Sequence, residues 1–222
     1  AMMPMALLMM LASGLAPRVA ARIGGRATMA AGILLGSVGL ALMASLVSVG
    51  GGYLAVLPGM LAMGLGMGLS MTPSTEAITG SLPRERQGVA SALNDVTREF
   101  GTALGVALLG AVLSAGYRTA IDLRLGGVPA DVAGPAREGV ANAVAVADRA
   151  GPQAGALVRA AQESFVDGWR HAMWAGAAVL AILFVHVLPN TIGQTVVYLM
   201  SDLVFAMLAL AVPAFRETAD DD

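Results

Sequence analysis

The 222-residue chain alternates long apolar runs with short polar segments. The apolar runs are about 1–17, 28–49, 53–75 with a continuation to 79, 89–115 and 169–188. A helix needs about 20 mostly apolar residues, with a usual range of about 17–25, to cross the ~30 Å hydrocarbon core of a bilayer. The pattern therefore predicts an all-α membrane protein, a polytopic bundle of five transmembrane helices.

Glycine and polar residues separate the runs. No charged residue lies between Ala27 and Thr75, and Gly50–Gly52 divides this stretch into two spans, because three consecutive glycines favour a turn over a helix. Residues 81–88 form a short polar connection. Residues 118–165 are polar and contain several glycine and proline pairs, so we expect a long extramembrane loop with short helices at 137–149 and 153–165.

The two ends of the chain have more than one interpretation. The first run ends like a signal peptide, but no positive region precedes it. We interpret it as a transmembrane helix of a chain that begins inside something larger. In the tail, residues 189–222, the apolar segment 196–215 contains Asp202 and forms either a sixth span or an interfacial helix.

Composition narrows the class of protein. Hydrophobic residues make up 57% of the chain and charged residues 13%, against roughly 45–50% and about 25% in ordinary globular domains. This excludes a disordered chain, a soluble enzyme and a nucleic-acid-binding protein, and it makes membrane lipid the expected surroundings. The chain has no cysteine and two histidines, so we expect no metal site, no cofactor and no enzymatic activity.

The arginines of the short connections predict an orientation. Residues 18–26 carry three arginines and residues 84–86 carry two, whereas Gly50–Gly52 between them carries none. Because short cytoplasmic loops are enriched in arginine and lysine, we expect 18–26 and 84–86 in the cytoplasm. Alternation of the spans then places the loop 118–165 outside.

Charged residues inside a predicted span are the first candidates for a functional site. Asp95, Arg98 and Glu99 lie at i, i+3 and i+4 and share one side of a helix, with Asn94 and Thr97 beside them. A charge within the bilayer is costly unless it is paired or hydrated. The residues either line a substrate or proton pathway or form a paired cluster at the membrane surface.

Two further sets of residues have both a functional and a structural interpretation. Glu76, near a helix end rich in serine and threonine, either carries protons or lies in water at that end. Small residues let transmembrane helices approach closely, so we expect a set of glycines to form packing faces or to let a helix bend: Gly64, Gly66, Gly68, Gly101 and Gly105.

Several of these segments carry a family resemblance. Residues 17–26 resemble the G-x-L-A-D-R-x-G-R-R loop of the major facilitator superfamily at Arg22, Gly24 and Arg26, but they lack its acidic residue. Residues 57–68 look like the glycine-rich tenth helix of the twelve-helix core. Residues 88–105 are similar to the G-x-A-S-x-x-x-N-x-x-R-x-x-G-x-x-x-G helix of fourteen-helix drug/proton antiporters, and residues 164–170 resemble the start of their last helix.

The resemblance implies a function for a larger protein. Residues 1–188 would be the last five helices of a proton-coupled multidrug exporter of the bacterial inner membrane, which exchanges protons for amphiphilic drugs or antibiotics. Its N-terminal half would be the missing partner, and Arg18, Arg22 and Arg26 would form an inter-helix latch or only fix topology. The alternative is a truncated structural or binding module that works only with a separate N-terminal half. The tail 189–222 has no counterpart in the family.

Overall fold

A computed structural model describes residues 3–79 and 87–187, and these residues form helices without a β-strand. The elements are α1 (Met3–Ile23), α2 (Gly25–Leu46), α3 (Gly52–Thr79), α4 (Gln87–Asp122), α5 (Ala130–Glu138), α6 (Val140–Val146), a 3-10 segment (Ala147–Gln153) and α7 (Ala154–Val187). Helices α1 to α4 and α7 are long and apolar enough to cross a membrane. The prediction of an all-α, multi-pass membrane protein is confirmed. The segment 196–215 with Asp202, and the arginines of 84–86, lie outside the described residues.

The connection between α1 and α2 is much shorter than the sequence suggested. The predicted loop 18–26 is wrong in extent, because α1 continues through Pro17 to Ile23 and α2 begins at Gly25. Gly24 alone turns the chain, with φ 88° and ψ 149°, a conformation open essentially only to glycine. The arginines thus lie on the solvated ends of two helices and not on a flexible loop.

Helix α3 lies against both α1 and α2, and α7 lies against both α2 and α4. The contacts between α2 and α3 run antiparallel, from Gly25 near Pro73 to Gly39 near Gly59. Methionine, leucine and tryptophan side chains fill the centre, and the most deeply buried are Met29, Leu40, Met43, Met63, Trp169 and Met173. The hydroxyl of Ser37 donates to the carbonyl oxygen of Ala177 at 2.9 Å and links α2 to α7.

Helices α4 and α7 are longer than the membrane is thick. With 36 and 34 residues, they extend over about 54 Å and 51 Å, against a hydrocarbon core of ~30 Å. The predicted spans 89–115 and 169–188 were too short, and 153–165 is not a separate helix but the first part of α7. Charged side chains ended the apolar pattern, whereas the helices continue past the bilayer.

The projecting ends of α4 and α7 carry a folded cap, which we define as residues 117–167. Its own core, separate from the membrane core, includes Ile121, Val132 and Leu157. The Tyr117 hydroxyl donates to the carbonyl oxygen of Ala136 at 2.7 Å. We call this end of the bundle the cap end. The short helices expected at 137–149 are found as α6 and the 3-10 segment, preceded by α5.

One arginine joins the two projecting helices within the cap. Arg124 on α4 donates to Asp167 on α7 at 2.8 Å and to the Ser164 hydroxyl at 3.2 Å. Its Nε lies 3.5 Å from Glu163. A second pair, Arg137 with Asp122, ties α5 to the end of α4. The cap is therefore held by an apolar core and by ionic contacts at its edge.

Candidate functional site

The predicted charged cluster lies at the end of α4 opposite the cap. The stretch from Phe100 to Tyr117 has no charged residue and spans about 27 Å, close to the hydrocarbon thickness. Asp95, Arg98 and Glu99 precede this stretch and are exposed in the described structure. They lie at the membrane boundary and not at the centre of the bilayer.

Helix α4 presents two different exposed stripes in this region. Val89, Leu93, Val96 and Phe100, at i, i+4, i+7 and i+11, have exposed fractions of 62%, 59%, 65% and 62%. Such spacing places apolar side chains on one side of a helix. A polar stripe runs along a different side: Ser91, Asp95, Arg98, Glu99 and Thr102. One side of this segment therefore suits lipid or another apolar helix, and the other suits water or a polar ligand.

Asn94 and Thr97 lie closer to the helix contacts than the charged residues do. The Oδ1 atom of Asn94 is buried and has no hydrogen-bond partner among the described residues. The Thr97 hydroxyl donates to carbonyl oxygens of its own helix, those of Leu93 and Asn94. Leaving a buried acceptor unpaired costs about 1–3 kcal/mol. Asn94 is therefore a position at which a further hydrogen-bond donor would be stabilising.

Glu76 is exposed near the end of α3, the helix that leads towards α4. Its neighbours are polar: the hydroxyls of Thr72 and Ser13 are 3.0 Å apart and join α3 to α1. Ser74 is 1% exposed, and its hydroxyl has no partner among the described residues. The predicted site residues on α3 and α4 thus share one end of the bundle, opposite the cap.

The arginines of the motif-like segment lie at the same end. Arg18, Arg22 and Arg26 are exposed, and Gly24 supplies the turn between them. The hydroxyl and the backbone N–H of Thr28 both donate to the carbonyl oxygen of Gly24, at 2.9 Å and 3.1 Å. This fixes the start of α2 directly after the turn.

The predicted glycines lie at close helix contacts. A Cβ atom on Gly64 or Gly68 would lie 2.7 Å or 2.5 Å from a backbone oxygen of α1, and one on Gly66 would lie 2.5 Å from the oxygen of Gly32 on α2. Gly101 and Gly105 are buried on α4. These positions leave no space for a side chain beyond hydrogen on α3, so we interpret its glycines as packing residues.

Sequence reasoning missed several partners of these glycines. Gly32 and Gly39 on α2 and Gly59 on α3 continue the α2–α3 contact, and Gly116 on α4 meets Gly168 on α7. The signal was present as small residues spaced by four or seven on two different helices. Without knowing which helices are neighbours, that spacing could not be assigned to a contact.

Relatives with known names match most of the chain. The multidrug efflux pump LfrA of Mycolicibacterium smegmatis is 32% identical over 140 residues, 63% of this chain and 27% of LfrA. The multidrug resistance protein Stp of Mycobacterium tuberculosis is 29% identical over 195 residues, 82% of this chain and 35% of Stp. The methyl viologen resistance protein SmvA of Salmonella typhimurium is 29% identical over 129 residues, 58% of this chain and 26% of SmvA.

These matches cover only part of the relatives. The chain spans about a quarter to a third of their length. No protein-family model matches the chain, and no solved structure matches it. Over the matched residues, the chain is homologous to bacterial multidrug efflux pumps and multidrug resistance proteins.

Proposed function

We propose that the chain supplies the C-terminal helices of a proton-coupled multidrug exporter of the major facilitator superfamily, in the fourteen-helix drug/proton antiporter group. The observation that carries the proposal is the similarity of up to 82% of the chain to named efflux and resistance proteins. The order of the motifs along residues 17–170 supports the C-terminal position. The protein acts by transport in the bacterial inner membrane, with no enzymatic step.

The polar stripe of α4 is the part of the chain that we assign to transport. Asp95 and Glu99 supply negative charge at the membrane boundary, beside Asn94 with its unpaired buried oxygen. A carboxylate there attracts a cation entering from water, and it also accepts a proton. The name of SmvA supports a cationic substrate, since methyl viologen is a dication. Amphiphilic cations fit a path with an apolar stripe on one side and a polar stripe on the other.

A dye-efflux assay tests this assignment. Cells that contain the complete transporter are loaded with a fluorescent cationic dye, and loss of dye is followed across an imposed proton gradient. We expect Asp95→Asn and Glu99→Gln to slow efflux at least several-fold, because each removes one charge from the stripe. The matched control is Asp131→Asn, which removes an exposed acid from α5 in the cap and should leave efflux unchanged.

Two outcomes would count against the proposal. Wild-type cells that accumulate as much dye as cells lacking the protein would remove the transport function. Normal efflux in Asp95→Asn and Glu99→Gln would leave transport in place but separate it from the α4 stripe. A collapse of the proton gradient that does not affect efflux would refute proton coupling alone.

The second candidate is a membrane module that works only with a separate N-terminal half. The observation in its favour is that the chain spans 35% or less of the relatives' length. An affinity tag on this chain should then recover a second polytopic polypeptide from the same membranes. Recovery of one longer polypeptide that contains this sequence would reject a separate half.

The proposed orientation follows from the arginines at the end opposite the cap. Arg18, Arg22 and Arg26 lie on the ends of α1 and α2, where they would face the cytoplasm, and the cap would face outwards. Cysteine labelling checks this without interference, because the chain has no native cysteine. A cysteine at exposed position 131 should react with an impermeant maleimide in intact cells, and one at position 22 should not.

A further inference from the structure

We propose that Arg170 binds the phosphate of a membrane phospholipid whose acyl chain lies along the exposed apolar side of α7. This inference depends on the multi-pass fold and not on the proposed transport function. Four observations support it: an arginine without a protein partner, its level in the bilayer, the apolar stripe below it and the geometry of the guanidinium.

Arg170 has no ionic partner in the described structure. Its side chain is partly buried, and its Nε is fully buried without a hydrogen-bond partner among residues 3–79 and 87–187. Arg170 takes part in none of the ion pairs that the described residues form. The nearest acid along the same side of α7, Asp167, is already bonded to Arg124 at 2.8 Å. The guanidinium of Arg170 is therefore available to an external anion.

The position of Arg170 matches the level of lipid headgroups. From Ala172 to Val187 no residue of α7 is acidic, lysine or arginine, so Arg170 lies just beyond the uncharged part of the span, at the cap end. Trp174 follows one turn later and is 52% exposed, and Tyr53 at the same end of α3 is 41% exposed. Exposed tryptophan and tyrosine mark the boundary between headgroups and hydrocarbon.

An apolar stripe runs from Arg170 into the bilayer. Positions 174, 178, 182 and 185 follow Arg170 at i+4, i+8, i+12 and i+15, which places them on one side of the helix. Trp174, Ile182 and Val185 are 52%, 61% and 65% exposed. The stripe is about 22 Å long, more than the half-thickness of a ~30 Å hydrocarbon core. An acyl chain attached to a phosphate at Arg170 would thus remain in contact with it through one leaflet.

The chemistry of the side chain selects the headgroup. A planar guanidinium donates two parallel hydrogen bonds to phosphate oxygens, which a compact ammonium group does not match. An anionic phospholipid adds net charge attraction to those bonds. We therefore expect phosphatidylglycerol to be preferred over zwitterionic phosphatidylcholine at this position.

The fluorescence of Trp174 provides the test. The full chain is reconstituted in phosphatidylcholine vesicles that contain a small fraction of phosphatidylglycerol with brominated acyl chains, which quench tryptophan on contact. Trp169 is 2% exposed, so quenching reports on Trp174. We expect the brominated phosphatidylglycerol to quench about fivefold more effectively than the same fraction of brominated phosphatidylcholine, the ratio expected for one basic residue near a membrane surface.

Three variants complete the experiment. Arg170→Gln should remove the preference for phosphatidylglycerol, and Arg170→Lys should reduce it because the charge remains but the paired geometry is lost. Arg118→Gln, an exposed arginine of α4 towards the cap end, should keep it. Trp174→Phe should abolish the quenching and so identify the reporter.

Each alternative occupant gives a different result. Equal quenching by the two brominated lipids, or an unchanged preference in Arg170→Gln, overturns the proposal. Absence of quenching in the wild type shows that protein covers the stripe and also overturns it. Loss of the preference on addition of inorganic phosphate to Arg170→Gln and wild type alike would indicate general charge screening and would reject a specific site. If Arg170→Gln does not fold, an unreduced preference in Arg170→Lys rejects the paired geometry.

Discussion

Gly66→Ala should separate α2 from α3, because no space exists for the added methyl group. Its Cβ would lie 2.5 Å from the oxygen of Gly32, 2.7 Å from the nitrogen of Gly36 and 3.3 Å from the Cα of Gly36. All three atoms belong to the backbone, so no rotation of a side chain relieves the contact. The shortest distance falls about 0.9 Å below an ordinary contact of 3.4 Å, and the helices must move apart by a similar amount.

The energetic consequence follows from that displacement. A gap of about 0.5–1 Å forfeits a quarter to a half of the dispersion attraction between facing atoms. In a bilayer, where packing and hydrogen bonds hold helices together without a hydrophobic drive, this loss is not compensated. Overpacking of this kind costs about 1–3 kcal/mol, which exceeds or cancels the gain of about 1 kcal/mol in helix propensity from glycine to alanine.

Gly110→Ala is the matched control for the same substitution. A Cβ on Gly110 meets nothing within 4 Å, so only the propensity gain of about 1 kcal/mol remains. The assay is equilibrium unfolding of the reconstituted chain, followed by circular dichroism. We expect Gly66→Ala to unfold at a lower denaturant concentration than wild type and Gly110→Ala at an equal or higher one. Equal midpoints for the two variants would refute a close backbone contact at Gly66.

Three further changes have defined outcomes. Gly24→Ala should destabilise the chain by about 1–3 kcal/mol, because φ 88° with ψ 149° excludes a side chain; unfolding midpoints check this, and a neutral result would exclude the one-residue turn. Tyr117→Phe leaves the Ala136 carbonyl without its buried donor, so cap cleavage by a protease should accelerate by roughly one to two powers of ten; an unchanged rate would contradict the bond. Arg124→Gln should loosen the cap more than Arg137→Gln in the same assay, since the Arg137 pair is about half exposed and contributes little; the reverse order would refute the link between α4 and α7.

The sequence was sufficient for the number of spans and for the bounds of α3. Apolar run length depends only on the bilayer thickness, so it predicts five crossings without knowledge of packing. The glycine triplet 50–52 gave the turn before α3, where Gly50 and Gly52 have positive φ. The run 53–75 with its continuation to 79 agrees with Gly52–Thr79.

The ends of α4 and α7 were not predictable from the same pattern. Hydrophobicity reports where lipid begins and ends, whereas helix hydrogen bonding continues in water when tertiary contacts support it. Arg118 and Asp122 ended the apolar run on α4, yet Tyr117 and Ile121 between them are buried in the cap core. A helix with one wet side and one dry side looks polar to a window average. The fold of the cap therefore required long-range contacts that no local pattern contains.

The candidate site was predictable in position but not in environment. The sequence located Asp95, Arg98 and Glu99 on one side of a helix, and the structure places them at the membrane boundary with exposed side chains. Whether they act as a transport path stays a prediction. The unpaired oxygen of Asn94 could not be foreseen, since it depends on what packs around that side chain.

The one-residue turn at Gly24 has a consequence for the order of assembly during synthesis. Helices α1 and α2 emerge first, joined too closely to drift apart, yet they contact each other far less than each contacts α3. They form an open wedge until α3 arrives. From Leu46 to Thr79 the ribosome adds 33 residues, which takes about 2–7 s at ordinary elongation rates. During that interval the glycine surface of α2 faces lipid, and α3 displaces that lipid when it enters the wedge.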